Sequence, residues 1–531
     1  MNVYFIGMCI AMVLYVLIGA IISRTVKDAN DFYVAGRRAP MWLIAGSIIA
    51  SYTSTGMFMG DAAQCFEGAF SPVIIFAGMQ SAGYIVGAVF FGRYLRRSKT
   101  LTLPGFFGKR FCSRPMHILA AVTAIMMMIV YFLSVMQGIG TLMTVVTNTD
   151  YNLCIVLTLV TITLLTVTSG SRGVLITDTI MASVFTLAMV ISLIVIGNQE
   201  GGMIEAVRNV AANPSLSGLL SWSGTPGPLY DTGIENLGWG LIYGVVWMSV
   251  CMVGPWQSSR YQMAKNEHAI IRSAPISAIG VFLMELMVGL TAVILRMVVP
   301  EGTDSSHVMI WAAMNMLPTV LGVILLTGVL SAGISSATTF LHLVGASIAN
   351  DVMRVEGKKA MNVSRIAMVG VSLLVLAYAV INPPSIFWIM FLGGSMAACS
   401  WMPVAVGSIF SKRLTKTGAF WGMLCGMLGC FVMKMYSTFA NITLPVYLDP
   451  SLVGMVCNVI AMVIGSALTK VTAEEKEARE ELFVLPEEEK DEKEIKKTFA
   501  WGKVTVLVGT AVFALLMVLW VVPYYQGLSI Q

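Results

Sequence analysis

Long apolar runs dominate this chain; alternating or one-faced patterns are rare. About 30 Å of hydrocarbon takes about 20 apolar residues per helix. Runs of that kind lie near 3–23, 41–66, 72–92, 116–147, 152–170, 173–197, 236–257, 273–295, 318–350, 366–383, 386–410, 418–435, 450–469 and 504–523. The pattern predicts an all-α polytopic membrane protein with about fourteen transmembrane helices. The first run is too long for a removable signal peptide and lacks its basic start and small-residue cleavage site, so it is expected to stay in the membrane. Between spans, surface helices are predicted at Met203–Ala212 and Ser305–Met316.

Composition narrows the function classes. Of 531 residues, 57% are hydrophobic and only 11% charged, with a mean hydropathy of +0.81. A soluble domain carries about 25% charged residues, so a soluble enzyme, a nucleic-acid-binding domain and a disulfide scaffold are excluded. The nine cysteines form no Cys-x-x-Cys and read as reduced, packed thiols. His117, His268, His307 and His342 are far apart and read as structural. No nucleophile, metal or cofactor arrangement stands out, so the chain is not expected to be an enzyme or to need a cofactor.

The net charge of +5 acquires meaning from its placement. Thirty of the 33 Lys and Arg residues fall in odd-numbered loops or in 470–503, leaving Arg208, Arg296 and Lys434 on the other side. Cytoplasmic loops carry the basic excess, so the odd loops are assigned to the cytoplasm and both termini to the outside of a cell membrane. Residues 470–503 read as a charged, solvated cytoplasmic connector, with regulatory docking as the alternative.

Within the spans, hydroxyls and glycines carry the functional signal. In lipid, non-helical backbone is tolerated only beside protein or a water-filled path. The second span holds five consecutive hydroxyl residues, Ser51 to Thr55, followed by Gly56. The seventh holds Gly238, Gly240, Gly244 and the pair Gly254-Pro255. Two interrupted spans five apart point to an inverted-repeat transporter with a midplane site; close helix packing on small residues is the competing reading. In the ninth span Ala332, Ser335 and Ser336 share one helical face. Two hydroxyls and a carbonyl there suit a small hard cation, or the hydroxyls bond back to their own preceding turn.

The motifs resemble those of the sodium:solute symporters, over roughly residues 1–470. Asp31-Phe32-Tyr33-Val34-Ala35-Gly36-Arg37 is similar to that family's DFxxAGR, and Gly170-Ser171-Arg172-Gly173-Val174 with Thr177-Asp178 to its GGxxAVxxTD. Trp247, Pro255 and Arg260 follow, as in the proline carriers, and then Pro403, Ser411-Lys412-Arg413, Gly418-Ala419, Gly422 and Gly426. The resemblance implies the leucine-transporter fold, with a first helix and loop in 1–40 and inverted five-helix repeats in 41–197 and 236–410. Between them lies an external loop, 198–235; peripheral helices (411–469), the charged linker (470–503) and a last helix with an external C-terminus (504–531) follow. It implies sodium bound by the carbonyls of Ala50, Thr53 and Ala332 and the hydroxyls of Ser335 and Ser336. It also links Asp178 to a cation exit or second ion site; the alternative for Asp178 is a helix cap.

The same resemblance outlines a solute pocket of Tyr52, Ser54, Met57, Gln80, Ser81, Tyr84, Trp247, Cys251 and Trp256. Tyr52, Cys251 and Ser81 depart from residues that proline and galactose carriers use, which argues against a sugar. An apolar pocket with few polar handles suits a monocarboxylate, an amino acid such as proline, or a vitamin-like acid, whose carboxylate could use amides at a broken helix end. Asp61 and Glu285 lie outside the family pattern, and an ionisable group at membrane depth is a functional candidate: Asp61 for the external vestibule, Glu285 for an amine, a proton or a partner in the bundle. The expectation is sodium-coupled symport of a small solute. A proton-coupled carrier using Asp178 or Glu285, or a sodium-sensing or channel-like protein, is the alternative. The lipid bilayer is the expected surrounding, nucleic acid is not an expected partner, and the oligomeric state is open.

Overall fold

The computed structural model describes residues 2–24, 26–227, 229–381 and 386–530. Helix α1 spans Val3–Ser23, α2 Met41–Tyr52, α3 Gly56–Arg97, α4 Arg114–Thr147 and α5 Tyr151–Thr168. Helix α6 spans Gly170–Gln199; α7 (Gly233–Val253) and α8 (Pro255–Met263) follow. Then come α9 Glu267–Met297, α10 Thr319–Val352, α11 Gly357–Ala379 and α12 Ile389–Phe410. The chain closes with α13 Lys416–Ala440, α14 Pro450–Ala467 and α15 Glu492–Leu528. Thirteen segments among the described residues are long and apolar enough to cross a membrane, against fourteen expected. The second expected span is cut into α2 and the start of α3, and α3 then runs on through a bend at Gly68 (φ +119°) into the third. The expected end of the tenth span, at 383, lies outside the described residues. The helix expected at Met203–Ala212 is present with those bounds, and that expected at Ser305–Met316 is a one-turn segment continued by Val308–Asn315.

Burial separates an inner bundle from a periphery. In α9 and α10 most positions are buried, as expected of helices surrounded by others. α15 exposes Val506, Leu507 and Phe513, the behaviour of a helix that meets lipid. Close approach between inner helices relies on small residues. A Cβ on Gly83 would sit 2.5 Å from the Met248 carbonyl oxygen, so α3 and α7 touch backbone to backbone.

Loops of one parity meet at one end. At the base-rich end Arg37 Nη2 donates to the Lys99 carbonyl (2.7 Å), Arg96 Nε to that of Ala264 (2.7 Å) and Arg114 Nη1 to that of Asp351 (2.5 Å). At the opposite end Asn2 Nδ2 reaches the Val146 carbonyl (2.7 Å), Gln199 Nε2 that of Met316 (2.6 Å), and Ser305 Oγ Glu67 Oε1 (2.5 Å). Arg208 Nη2 donates to Gln526 Oε1 there (2.9 Å), so both chain ends lie on the base-poor side. The alternation expected from the charges is therefore the packing of the loops.

Residues 470–503 rest on the base-rich loops through a few buried side chains, while most of the segment stays exposed. Thr472 and Glu475 form a capping box that opens the helix Ala473–Glu481. The buried Glu475 carboxylate accepts the Lys416 N–H (2.5 Å), and the Glu475 carbonyl accepts Arg110 Nη1 (2.9 Å). Glu489 accepts the Glu267 N–H (3.0 Å), and Glu494 pairs with Arg272. Burial pushes the Glu489 carboxyl up. The physical reason is local: Arg96, Arg97 and Arg110 are half-buried or buried by the loops, and half-desolvated guanidinium groups need acceptors that this acidic segment supplies.

Gly170 separates α5 from α6 at φ +58°, ψ −164°, a region open to glycine alone, and a Cβ there would lie 2.6 Å from Phe32 Cδ2. Gly170→Ala is expected to destabilise the purified protein by about 1–3 kcal/mol, read as a lowered melting temperature; an unchanged melting curve would refute the strain at this joint.

Candidate functional site

The break in the second span is local chemistry. α2 runs regularly to Tyr52, where Thr53 turns away (φ −67°, ψ +70°). The Ser54 N–H bonds the Tyr52 carbonyl (2.7 Å) instead of completing the helical bond to Ala50, and Ser54 Oγ accepts the Gly56 N–H (3.2 Å). Short hydroxyl side chains thus compete with the helix for its own backbone. The second interruption is Gly254, in extended conformation (ψ +135°) between α7 and α8, with Pro255 opening the new helix where its missing N–H costs nothing.

α10 crosses the break in α2. Ser336 Oγ is shared between the Ser51 carbonyl (3.1 Å) and the Ala332 carbonyl one turn back (3.2 Å), so it bonds back to its own helix and also ties α10 to α2. Ser335 Oγ instead donates to Asp178 Oδ1 on α6 (2.6 Å). Thr53 Oγ1 bonds back to the Ile49 carbonyl (2.9 Å). Ala50, Thr53, Ala332, Ser335 and Ser336 are all buried where α2 and α10 meet.

Asp178 anchors a polar node rather than capping a helix. Its Oδ2 accepts Ser47 Oγ (2.7 Å) and pairs with Arg260 Nη2 (3.1 Å), both charged side chains being almost fully buried. Arg260 also donates to Ser47 Oγ (3.0 Å), Thr339 Oγ1 (3.0 Å), Ser51 Oγ and the Trp256 carbonyl. Arg260, counted from sequence among the loop bases, is thus drawn into the bundle. The node joins α2, α6, α8 and α10, and every charge in it has hydrogen-bonded partners, the condition under which buried ions are tolerated.

On the other side of the break lies a small closed cavity. Tyr52, Ser54, Met57, Gln80 and Trp247, five of the residues assigned to the solute pocket from sequence, line it together with Asp61, Phe76, Tyr131 and Met390. It holds about 10 Å³, room for roughly one water, too little for an organic molecule. Gln80 Oε1 and Trp247 Nε1 are buried without a hydrogen-bond partner among the described residues. Four residues expected in the pocket stand outside its lining. Tyr84 and Cys251 lie side by side between α3 and α7, and Ser81 is buried nearby on α3. Trp256 stacks on Tyr131 (ring centroids 5.1 Å, 20°), backing the wall.

Aromatic rings close the base-poor side. Phe391 contacts Trp247 (5.5 Å), Tyr243 (4.7 Å) and Phe76 (6.0 Å) between ring centroids. Beyond them Trp239, Tyr243, Lys434 and Asp449 line a larger cavity of about 360 Å³. Asp61 therefore lines the inner cavity and not this outer one. Glu285 of α9 accepts Tyr52 Oη at Oε2 (2.7 Å), and Gln80 Nε2 donates to Tyr52 Oη in turn. Phe76, Tyr131, Met390, Ser47 and Thr339 carry no motif, and sequence reasoning passed over them. Arg260 was noted as a loop base and as a motif residue, but not as a residue facing into the bundle.

The profile of the Sodium:solute symporter family matches residues 32–426. The sodium/proline symporter of Salmonella typhimurium is 23% identical over 449 residues, covering 81% of this chain and 87% of that one. The sodium/pantothenate symporter of Haemophilus influenzae is 24% identical over 434 residues, covering 78% and 86%. Among solved structures, a substrate-bound, outward-open Na+-coupled sialic acid symporter superposes with a TM-score of 0.73 at 16% identity, over 89% of this chain and 99% of that one. The nucleobase-cation-symport-1 transporter Mhp1, in a closed conformation, gives 0.52 at 12% identity, over 85% and 98%. The fold is therefore that of the leucine-transporter class, with inverted five-helix repeats that each begin at a broken helix.

Asp178→Asn leaves the Arg260 charge buried and uncompensated, which typically costs about 3–5 kcal/mol. A double variant, Asp178→Asn with Arg260→Met, is expected to melt above the single one. If the double variant melts lower, the pair is not a mutual compensation.

Proposed function

The chain belongs to the sodium:solute symporter family, and from that premise we propose that it couples sodium entry to uptake of a small organic solute by alternating access. The coupling ion binds where α10 crosses the broken α2, held by the carbonyls of Ala50, Thr53 and Ala332 and the hydroxyls of Ser335 and Ser336. The observation that carries this reading is the bond from Ser336 Oγ to the Ser51 carbonyl, across the point where the helical bond to Ala50 is missing. Oxygen ligands from a broken helix and hydroxyls from its neighbour suit a hard monovalent cation. Asp178, bonded to Ser335, serves the ion's path toward the base-rich end. That end faces the cytoplasm of a cell membrane, in keeping with the basic excess.

The solute occupies the cavity beside the break, bounded by Tyr52, Ser54, Met57, Gln80 and Trp247, with Ser81, Tyr84, Cys251 and Trp256 shaping its walls. The relatives' names point to proline and pantothenate. The proposed solute is an amino acid such as proline, a monocarboxylate or a vitamin-like acid. Asp61 in the lining favours a solute that carries an amine over a bare monocarboxylate.

Sodium ties α10 to α2 and completes the pocket wall, solute closes the aromatic layer around Phe391, and loss of sodium at the base-rich end lets the bundle open there. One sodium falling through 100 mV yields about 2.3 kcal/mol, and a tenfold gradient adds about 1.4 kcal/mol. The combined drive of about 3.7 kcal/mol sustains roughly 500-fold accumulation at one sodium per solute.

Ser336→Ala is expected to weaken sodium-dependent stabilisation at least tenfold in sodium concentration, read as melting temperature against sodium at constant ionic strength. An unchanged sodium dependence in a normally folded variant would remove Ser336 from the site.

A further inference from the structure

Two acids remain that the sodium mechanism does not use. Asp61 and Glu285 are 4% and 1% exposed, and their carboxyl groups are hydrogen-bond neighbours. Glu285 Oε2 already accepts the Tyr52 hydroxyl, whose own oxygen accepts Gln80. Asp61 Oδ1 and Glu285 Oε1 are buried with no N–H or O–H directed at them among the described residues. The other titratable side chains around the pair are Tyr52, Cys65 and Tyr131. No ion pair among the described residues includes either acid. The contrast with Asp178 is direct, since that carboxylate has a guanidinium and two hydroxyls.

Two carboxylates in contact, out of water and without a counter-charge, repel each other strongly and cannot both stay ionised. One proton supplies the missing hydrogen-bond donor and neutralises one of the two negative charges. We propose that Asp61 and Glu285 form a proton site in the wall of the solute cavity, holding one proton between their carboxyls while the cavity is closed. The proton sits as the O–H of one carboxyl donated to the oxygen of the other; no other bond forms or breaks. Because Asp61 lines the cavity beside the unpartnered Gln80 Oε1 and Trp247 Nε1, opening the cavity brings water to the pair and gives the proton a way out. Transport then responds to protons as well as to sodium. The proton site adds to the sodium mechanism and stands without it, since no ligand is shared between the two.

Infrared absorption of the purified protein in sodium-free buffer at neutral pH tests this. The spectrum of the unsubstituted protein minus that of Asp61→Asn with Glu285→Gln should carry one positive C=O stretching band of a protonated carboxyl. Tyr52→Phe should keep the band and shift its frequency, because one hydrogen bond to the pair is lost. Absence of the band from the unsubstituted protein, or its full survival in the double variant, would overturn the proposal. If the double variant does not fold, the Tyr52→Phe shift decides alone, an unmoved band counting against the pair. Melting temperature against sodium, measured on the same samples, separates the two mechanisms. A sodium shift without the carboxyl band removes the proton site alone, and the band without a sodium shift removes the sodium coupling alone.

Discussion

One guanidinium and one carboxylate, buried against each other at 3.1 Å, organise the centre of this molecule. An isolated ion at that depth would be very costly, and even a pair is retained only if its remaining donors and acceptors are met. Ser47, Ser51, Ser335, Thr339 and the Trp256 carbonyl meet them. Those partners lie on α2, α8 and α10, with Asp178 on α6. The demand for satisfaction therefore sets the relative positions of both halves of the bundle near the break in α2. Shifting any of these helices alone strands a charge or a hydroxyl, so rearrangement has to move them as bodies or rewire the node.

That constraint connects the proposed ion and solute sites. Ser51 gives its carbonyl to Ser336 and its hydroxyl to Arg260, while Tyr52, the next residue, faces the solute cavity and bonds Glu285. Consecutive residues at one helix end thus serve the ion node, the coupling helix and the cavity wall. A cation that draws Ser335 and Ser336 toward the ends of α2 changes the hydrogen bonds of Asp178 and the placement of Tyr52 together. This offers a physical route for linked binding of the kind that symport requires.

Much of this was legible in the residues. The apolar runs defined the bundle, and the placement of the bases anticipated which loops meet at each end. The hydroxyl run at 51–55 and Gly254-Pro255 marked the two interruptions. What sequence reasoning missed was facing. Arg260 follows a helix break beside a basic loop, so by position it belonged with the loop. Only the packing of α8 against α2, with Asp178 of α6 within reach, turns it inward. Glu285 and Asp61 could be flagged as acids at depth but not paired, since α9 is buried nearly all round and hydrophobic periodicity does not orient such a helix. Phe76 and Tyr131 look like any core aromatic until the cavity is drawn. Docking of 470–503 stood second to a solvated connector because charge runs normally seek water, and the half-buried arginines that hold this one are a tertiary feature.

Direct binding of radioactive sodium to the purified protein tests sodium coupling at the crossing of α2 and α10 without knowledge of the solute. The unsubstituted protein should bind sodium saturably, with potassium as a poor competitor. Ser335→Ala combined with Ser336→Ala should weaken that binding at least tenfold while the protein stays folded. Saturable binding that is identical in the double variant, or no saturable binding in the unsubstituted protein, would contradict the account.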